Sequence, residues 1–315
     1  MEYTTIGIDV SKNFLDVCFL PHNKSIRIPN DTDGYNKLAE YLGGCKSVKI
    51  CMESTGCYHQ NVQKHFEQAG FAVRVANPKH VRDFAKSCGK LAKTDKIDAY
   101  MIAKFGEFQE LCDKSPKSPR QEQLRVLVLR RRQAVKMRKM EKTHAEKFKV
   151  SGDKNMLRMI SACIAAYEHQ ISEIDLLIKG LLAACPDLRK IYDTMMGVCG
   201  VGHATACELM AEMPELGTLS PREAAALAGV APMNCDSGGR RGQRHIIGGR
   251  FNVRGALYMA CVSGIRFNPV LRAYYHHLYF ECKKPFKVAM VACMRKLLLH
   301  LNRLCDQKKN ITIYA

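Results

Sequence analysis

Four carboxylates in the first third of the chain, Asp9, Glu53, Asp95 and Asp98, have the types and spacing to form one metal-binding cage. Asp9 ends the apolar run Thr4-Thr5-Ile6-Gly7-Ile8, whose glycine leaves room for close approach, and Glu53 ends a second run, Val48-Lys49-Ile50-Cys51-Met52. Asp95 and Asp98 stand three apart in Lys93-Thr94-Asp95-Lys96-Ile97-Asp98-Ala99, so on a helix they share one face. Hard divalent cations such as magnesium take oxygen ligands, and two of them about 4 Å apart can clamp a phosphodiester undergoing in-line displacement. Each acid alone also reads as a cap. Thr94 is an adequate N-cap, and a helix dipole favours acids in the first turn. Capping explains one acid, but not a pair matched to Asp9 and Glu53.

The elements that must position these acids read as three strands at 3–9, 14–20 and 24–28, joined by tight polar connections. A helix at 33–43, a strand at 47–52, a helix at 59–69 and a strand at 71–75 follow, and Asn77-Pro78 breaks the pattern. The segment 79–93 reads as a short helix and a loop, and the next helix starts at Thr94 or Asp95. A three-strand meander followed by β and α alternation is the order of an α/β, RNase H-like (RuvC-like) domain, assigned to 1–112.

Ser115-Pro116-Lys117-Ser118-Pro119 marks a boundary, and 113–190 is assigned to a basic arm. Residues 120–149 and 154–184 read as two long helices about the turn Val150-Ser151-Gly152-Asp153. Ile160, Ile164, Tyr167, Ile171, Ile174, Ile178 and Leu181 lie near a heptad seam, which predicts a long antiparallel coiled coil. Arg130, Arg131, Arg132, Lys136, Arg138 and Lys139 crowd the first helix. Such a run is either a solvated face or a contact for a nucleic-acid backbone, and the latter is expected here. Beyond Cys185-Pro186, a mostly α-helical domain is assigned to 191–315. In it, Gly197-Val198-Cys199-Gly200-Val201-Gly202-His203 resembles a helix-hairpin-helix turn, where Gly200 and Gly202 would let backbone N–H groups approach a phosphate.

Net charge is +19, and its distribution supports this division. Residues 1–112 carry 15 Lys/Arg against 13 Asp/Glu, 113–150 carry 13 against 4, and 191–315 carry 16 against 8. A polyanion held by the later segments and cut by the first is the simplest account. The 15 cysteines form no C-x-x-C pair; Cys18, Cys51, Cys163, Cys207 and Cys261 read as small buried hydrophobes. Cys57-Tyr58-His59 lacks a second zinc half-site. With no leader-like start and no apolar run of membrane-spanning length, a cytoplasmic protein is expected.

In Gly229-Val230-Ala231-Pro232-Met233-Asn234-Cys235-Asp236-Ser237-Gly238-Gly239, and on to Tyr258, Ser237 is followed by Arg240, Arg241, Arg244, Arg250 and Arg254, with His245 and Asn252 nearby. Clustered guanidiniums suit a phosphate, and a serine among them can be a nucleophile. From residue chemistry alone, a basic loop on nucleic acid with Ser237 as a turn residue is the simpler reading.

Taken together, Gly7-Ile8-Asp9-Val10-Ser11-Lys12, Met52-Glu53-Ser54-Thr55-Gly56, the segment 93–99, Gly197–Gly202, Gly229-Val230-Ala231-Pro232 and Ser237-Gly238 resemble one family. It is insertion-sequence family one-hundred-and-ten, whose transposases join a DEDD, RuvC-like domain to a C-terminal domain bearing a serine and are guided by a bridge RNA. The resemblance covers essentially the whole chain; the cysteines at 199 and 235 depart from commoner residues. It implies that Asp9, Glu53, Asp95 and Asp98 bind magnesium, with manganese able to substitute. It also implies that Ser237 forms a covalent phosphoserine link to DNA, in a composite site assembled within a homo-oligomer. A structured non-coding RNA would pair with donor and target DNA. The alternatives are a hydrolytic nuclease or Holliday-junction resolvase using water, and a non-catalytic nucleic-acid-binding protein.

Overall fold

The computed structural model describes residues 5–43, 47–90, 94–108, 118–234, 236–239 and 242–306. The chain divides into two compact units, Met1–Ser115 and Pro116–Ala315.

The first unit is built on β1 (Thr5–Val10), β2 (Phe14–Leu20), β3 (Lys24–Pro29), β4 (Lys49–Glu53) and β5 (Ala72–Ala76). Strand order is β3-β2-β1-β4-β5; the first three strands form an antiparallel meander, and β4 and β5 add in parallel. The succession of strands and helices along the chain is the one the sequence predicts. Parallel strands need crossovers, supplied by α1 (Thr32–Tyr41) and α2 (His59–Gln68). Ile6, Ile8, Leu15, Val17 and Phe19 pack with Leu38, Val62 and Phe66 in one core. Helices α3 (Pro78–Ser87) and α4 (Asp95–Phe108) complete the unit, with Cys51, Ala76, Ile102 and Phe105 in a second core. Asn77 caps α3 through Lys79 N, with Pro78 at the first helical position.

The depth at which α4 can settle on the sheet is set by glycine. A Cβ on Gly7 would lie 2.2 Å from the Ala99 carbonyl oxygen and 2.3 Å from Ala103 N, and one on Gly106 would lie 2.7 Å from the Cys51 Cβ. Helix α4 therefore presses backbone to backbone on β1, which brings its N-terminal turn to the strand ends.

The second unit opens with α5 (Pro119–Ser151) and α6 (Lys154–Ala183), which run back along one another. Ser118 accepts from Gln121 N to start α5; Gly152, at φ +74°, ends it; Asp153 accepts from Asn155 N and Met156 N to start α6. On the seam side, Ile160, Ile171, Ile174, Ile178 and Leu181 are buried, Ile164 and Tyr167 half-buried. Helices α7 (Pro186–Met196), α8 (His203–Glu212) and α9 (Pro221–Leu227) precede a two-stranded ribbon, β6 (Pro232–Met233) with β7 (His245–Ile246). Helices α10 (Phe251–Phe267), α11 (Pro269–His276) and α12 (Phe286–Leu304) follow, with a π-helical turn at His277–Glu281. One core, including Leu124, Ile178, Leu209, Leu257 and Leu298, joins the hairpin to the later helices.

Cys18, Cys51, Cys207 and Cys261 are buried as expected, but Cys163 is exposed. It lies on α6 one residue before the half-buried Ile164, about 100° round the helix from it, at the edge of the seam and left uncovered there. No helix among the described residues is long and apolar enough to cross a membrane.

Candidate functional site

Strand register brings the acids of the first unit together. Ile8 pairs with Met52 across the parallel β1–β4 ladder, so Asp9 and Glu53 leave the same end of neighbouring central strands. Helix α4, seated close on Gly7, contributes Asp95 and Asp98 from its first turn, where Thr94 Oγ1 accepts from Ile97 N at 3.3 Å. The consequence falls on Asp9. Partial burial, followed by the charges of Asp98, Glu53, Asp95 and Asp16, pushes its pKa up to about 6. Four further carboxylates thus act on Asp9 through their charge.

Two members of this cluster had no signal in the sequence. Asp16 faces Asp9 directly across the β1–β2 ladder, and Arg27 faces Asp16 across the β2–β3 ladder. The Arg27 guanidinium donates through Nε and Nη2 to the two Asp16 oxygens at 2.9 and 2.8 Å, and through Nη2 to Asp95 Oδ2 at 2.5 Å. Both bonds raise its pKa, so it stays charged.

An all-carboxylate donor set suits a hard divalent cation in chemistry. The arrangement is looser than a formed metal centre: among the described residues, no three acid, imidazole or thiol side chains are gathered closely enough to hold an ion. Asp95 is engaged by Arg27.

On the basic helix, the arginines divide by role. Arg131 forks onto Asp175 of α6 at 2.6 and 3.1 Å, and Arg132 pairs with Glu208 and Glu212 of α8 at 3.0 and 2.6 Å. Burial alone would raise the Asp175 pKa, but hydrogen bonds and charge from Arg131 and His203 outweigh it and hold the carboxyl below its usual range. His203 Nε2 lies 3.2 Å from Asp175, and its Nδ1 lies 2.9 Å from the Tyr192 hydroxyl. These two arginines fasten α5 to its neighbours. Arg130 reaches Gln170 at 3.0 Å and Arg138 approaches Glu168 at 3.7 Å, whereas Lys136 and Lys139 are exposed. Gly200 has a packing reason: at φ +104°, a Cβ would lie 2.8 Å from Gly264 Cα. Gly202 caps α8 and has open space beside it.

Ser237 sits, exposed, in the loop that connects β6 to β7. Asp236 Oδ1 accepts from Gly242 N at 3.1 Å across this loop. Its base is fixed by two glycines in contact: a Cβ on Gly249 (φ +72°) would lie 2.2 Å from the backbone N of Gly229 (φ +70°). Arg254 donates to the Gly248 carbonyl at 2.8 Å, and Arg250 forks onto Glu215 at 2.7 and 2.8 Å. Arg244 and His245 are exposed on the ribbon; Arg240 and Arg241 lie outside the described residues.

Comparison with known proteins finds relatives for both parts of the chain. Residues 6–148 match a transposase model of the DEDD, IS110 class, and residues 192–276 match the transposase IS116/IS110/IS902 family model. The pilin gene-inverting proteins of Moraxella bovis and Moraxella lacunata are each 28% identical, over 95% of this chain and 94% of their own. The transposase for insertion sequence element IS1328 of Yersinia enterocolitica is 24% identical over 75% of this chain and 76% of its own. The chain belongs to the IS110 family of insertion-sequence transposases.

Proposed function

We propose that this transposase cuts and rejoins DNA by a serine-based, magnesium-assisted strand transfer, with Asp9, Glu53, Asp95 and Asp98 holding the metal and Ser237 as nucleophile. The observation that carries the metal half is the convergence of Glu53, Asp95 and Asp98 on Asp9, whose carboxyl is pushed up to about 6 by burial first and then by their charges and that of Asp16. A divalent cation held by these acids would add positive charge beside that of Arg27 and would offset charge on the scissile phosphate. In the strand transfer, Ser237 Oγ gives up its proton and bonds to phosphorus as the bond to the departing deoxyribose oxygen breaks. That oxygen takes up a proton. Rejoining reverses these steps and frees the serine. Arg244, exposed on the same ribbon, is suited to neutralise the phosphate during attack. Arg240, Arg241, Arg250 and Arg254 belong to the same proposed basic surface, with Arg250 and Arg254 also bracing the loop.

The relatives named for inverting a pilin gene support recombination rather than cleavage alone, because inversion requires ends to be rejoined. We further propose that a structured non-coding RNA guides the choice of donor and target DNA, and that the chain works as a cytoplasmic homo-oligomer. The α5–α6 hairpin would act as a coiled-coil arm, with Arg130, Lys136, Arg138 and Lys139 toward the nucleic-acid backbone. The turn at Gly200–Gly202 would act as a helix-hairpin-helix element.

Covalent trapping tests the mechanism. Protein produced with its native flanking DNA is mixed with labelled junction DNA and magnesium, and SDS-resistant adducts are counted for wild type, Ser237→Ala and Asp98→Ala. The expected result is an adduct in wild type that both substitutions abolish. Cleaved DNA without an adduct, unaffected by Ser237→Ala, would make the enzyme a hydrolytic nuclease.

A further inference from the structure

A cavity of the second unit lies beside the Ser237 ribbon and has a chemistry of its own. It encloses 1060 Å³ between the ribbon and helices α10, α11 and α12, and Pro232, His245 and Ile246 of the ribbon form part of its wall. That volume is at the upper end for pockets that take small organic molecules. Phe251, Tyr258, Tyr274 and Phe286 line it, and Phe251, Tyr258 and Phe286 are 76%, 39% and 46% exposed. So much aromatic surface facing water calls for an occupant.

Charge decides which kind. Arg244, Arg254, Lys287, Arg295 and Lys296 line the same cavity, and no acidic side chain among the described residues does. Two cations already stand over its rings, Lys296 at 4.2 Å from the Tyr274 centroid and Arg254 at 5.9 Å from that of Phe251. An apolar aromatic floor under a cationic rim fits a ligand that is flat and apolar in one part and anionic in another. Unstacked nucleotides meet both demands: bases stack on rings while phosphates meet the rim. A duplex does not, since its bases are already stacked inside.

We infer that this cavity seats extruded bases of single-stranded DNA next to the phosphate presented to Ser237. The inference rests on the proposed role of Ser237, because the cavity wall and the Ser237 loop spring from the same two short strands. It assigns Tyr258 and Phe286 as stacking platforms and Lys287 and Arg295 as phosphate contacts. Parting the strands at the cut would expose the bases it takes.

The test uses the full-length protein and labelled single-stranded oligonucleotides of equal length: oligothymidine, the same backbone without bases, and oligouridine RNA. Fluorescence anisotropy should show oligothymidine bound about tenfold more tightly than the abasic strand, the scale of one good stacking contact. Tyr258→Ala and Phe286→Ala should each shrink that ratio, while Tyr258→Phe keeps it. Lys287→Ala should weaken both DNA ligands by the same factor. Equal binding of oligothymidine and abasic DNA by wild type overturns the inference, as does a ratio unmoved by either alanine. Tighter binding of the RNA overturns its assignment to DNA. No cleavage is needed, so the two readings fail separately. Lost base dependence sinks the cavity even if adducts form. Missing adducts with base dependence intact sink the serine mechanism and leave the cavity.

Discussion

Arg27 Nη2 lies 2.5 Å from Asp95 Oδ2 while the same guanidinium forks onto Asp16, so one side chain occupies the carboxylate that the proposed metal would need. Arginine and metal then compete for Asp95. The expected outcome for Arg27→Gln is a lower melting temperature without metal, because the acids lose their counterion, and a larger rise when magnesium or manganese is added. The half-saturating metal concentration should fall several-fold. Thermal unfolding across a metal titration measures both. A metal response smaller than wild type would mean that Arg27 helps to build the site.

Gly7 sets the distance between the two elements that carry the acids. In Gly7→Ala the new methyl would meet backbone atoms of Ala99 and Ala103 at 2.2 and 2.3 Å, which no rotamer change relieves. Helix α4 must move outward, carrying Asp95 and Asp98 away from Asp9. We expect a loss of about 2–3 kcal/mol in urea unfolding, on the overpacking scale, and loss of DNA cleavage. The same change in the exposed last turn of α6, Gly180→Ala, meets nothing within 4 Å. There it should stabilise by about 0.5–1 kcal/mol through helix propensity. Equal effects at the two sites would remove the close-approach argument.

The raised pKa of Asp9 has a definite sign in stability. Its carboxyl titrates near 3.8 when unfolded and at about 6 when folded, so between those values the native state keeps a proton that the unfolded chain has lost. Metal-free stability therefore falls as pH rises from about 4 to 6, and the effect is complete above that window. Allowing for the partial exposure of Asp9, the fall is on the order of 1–2 kcal/mol. In Asp9→Asn this component should vanish, leaving the variant more stable than wild type at pH 7 without metal and unresponsive to added magnesium. Urea midpoints from pH 4 to 8 for both proteins supply the comparison. A parallel pair of pH curves would contradict it.

The acids were legible in the sequence because each marks the end of an apolar run or the start of a helix, and because Gly7 interrupts a strand where a side chain would otherwise be expected. Asp16 and Arg27 were not. Within β2 and β3 each reads as an ordinary polar residue, and only the register Asp9–Asp16–Arg27 across three strands turns them into neighbours. For two arginines of the α5 triplet the reason is related: the partners of Arg131 and Arg132 lie 44 and 80 residues away, so local charge density could not reveal that these two cations are already paired. Gly200 looked like a phosphate-binding glycine, yet its neighbour Gly264 also lies far along the chain. The aromatic cavity had no local signature, since the ribbon and three separate helices contribute to it.

The basic helix offers a way to separate cations that hold the fold from cations that hold nucleic acid. Arg131 and Asp175 are a largely sheltered pair, with side chains 21% and 24% exposed, and Asp175 also engages His203. Removing the arginine leaves a sheltered carboxylate without its main partner. Arg131→Gln should therefore cost about 1–3 kcal/mol in stability while changing the salt dependence of DNA binding little. Lys136 and Lys139 are exposed on the same helix, and the double change Lys136→Gln, Lys139→Gln should leave the melting temperature within error. If both touch phosphates, the slope of log affinity against log salt should fall by up to about 1.8, roughly 0.9 for each phosphate no longer neutralised. Binding titrations at four salt concentrations, run beside thermal melts, measure both quantities. A flattened salt slope in Arg131→Gln with unchanged stability would return Arg131 to the DNA-binding face; an unchanged slope in the double lysine variant would remove this face of the hairpin from the interface.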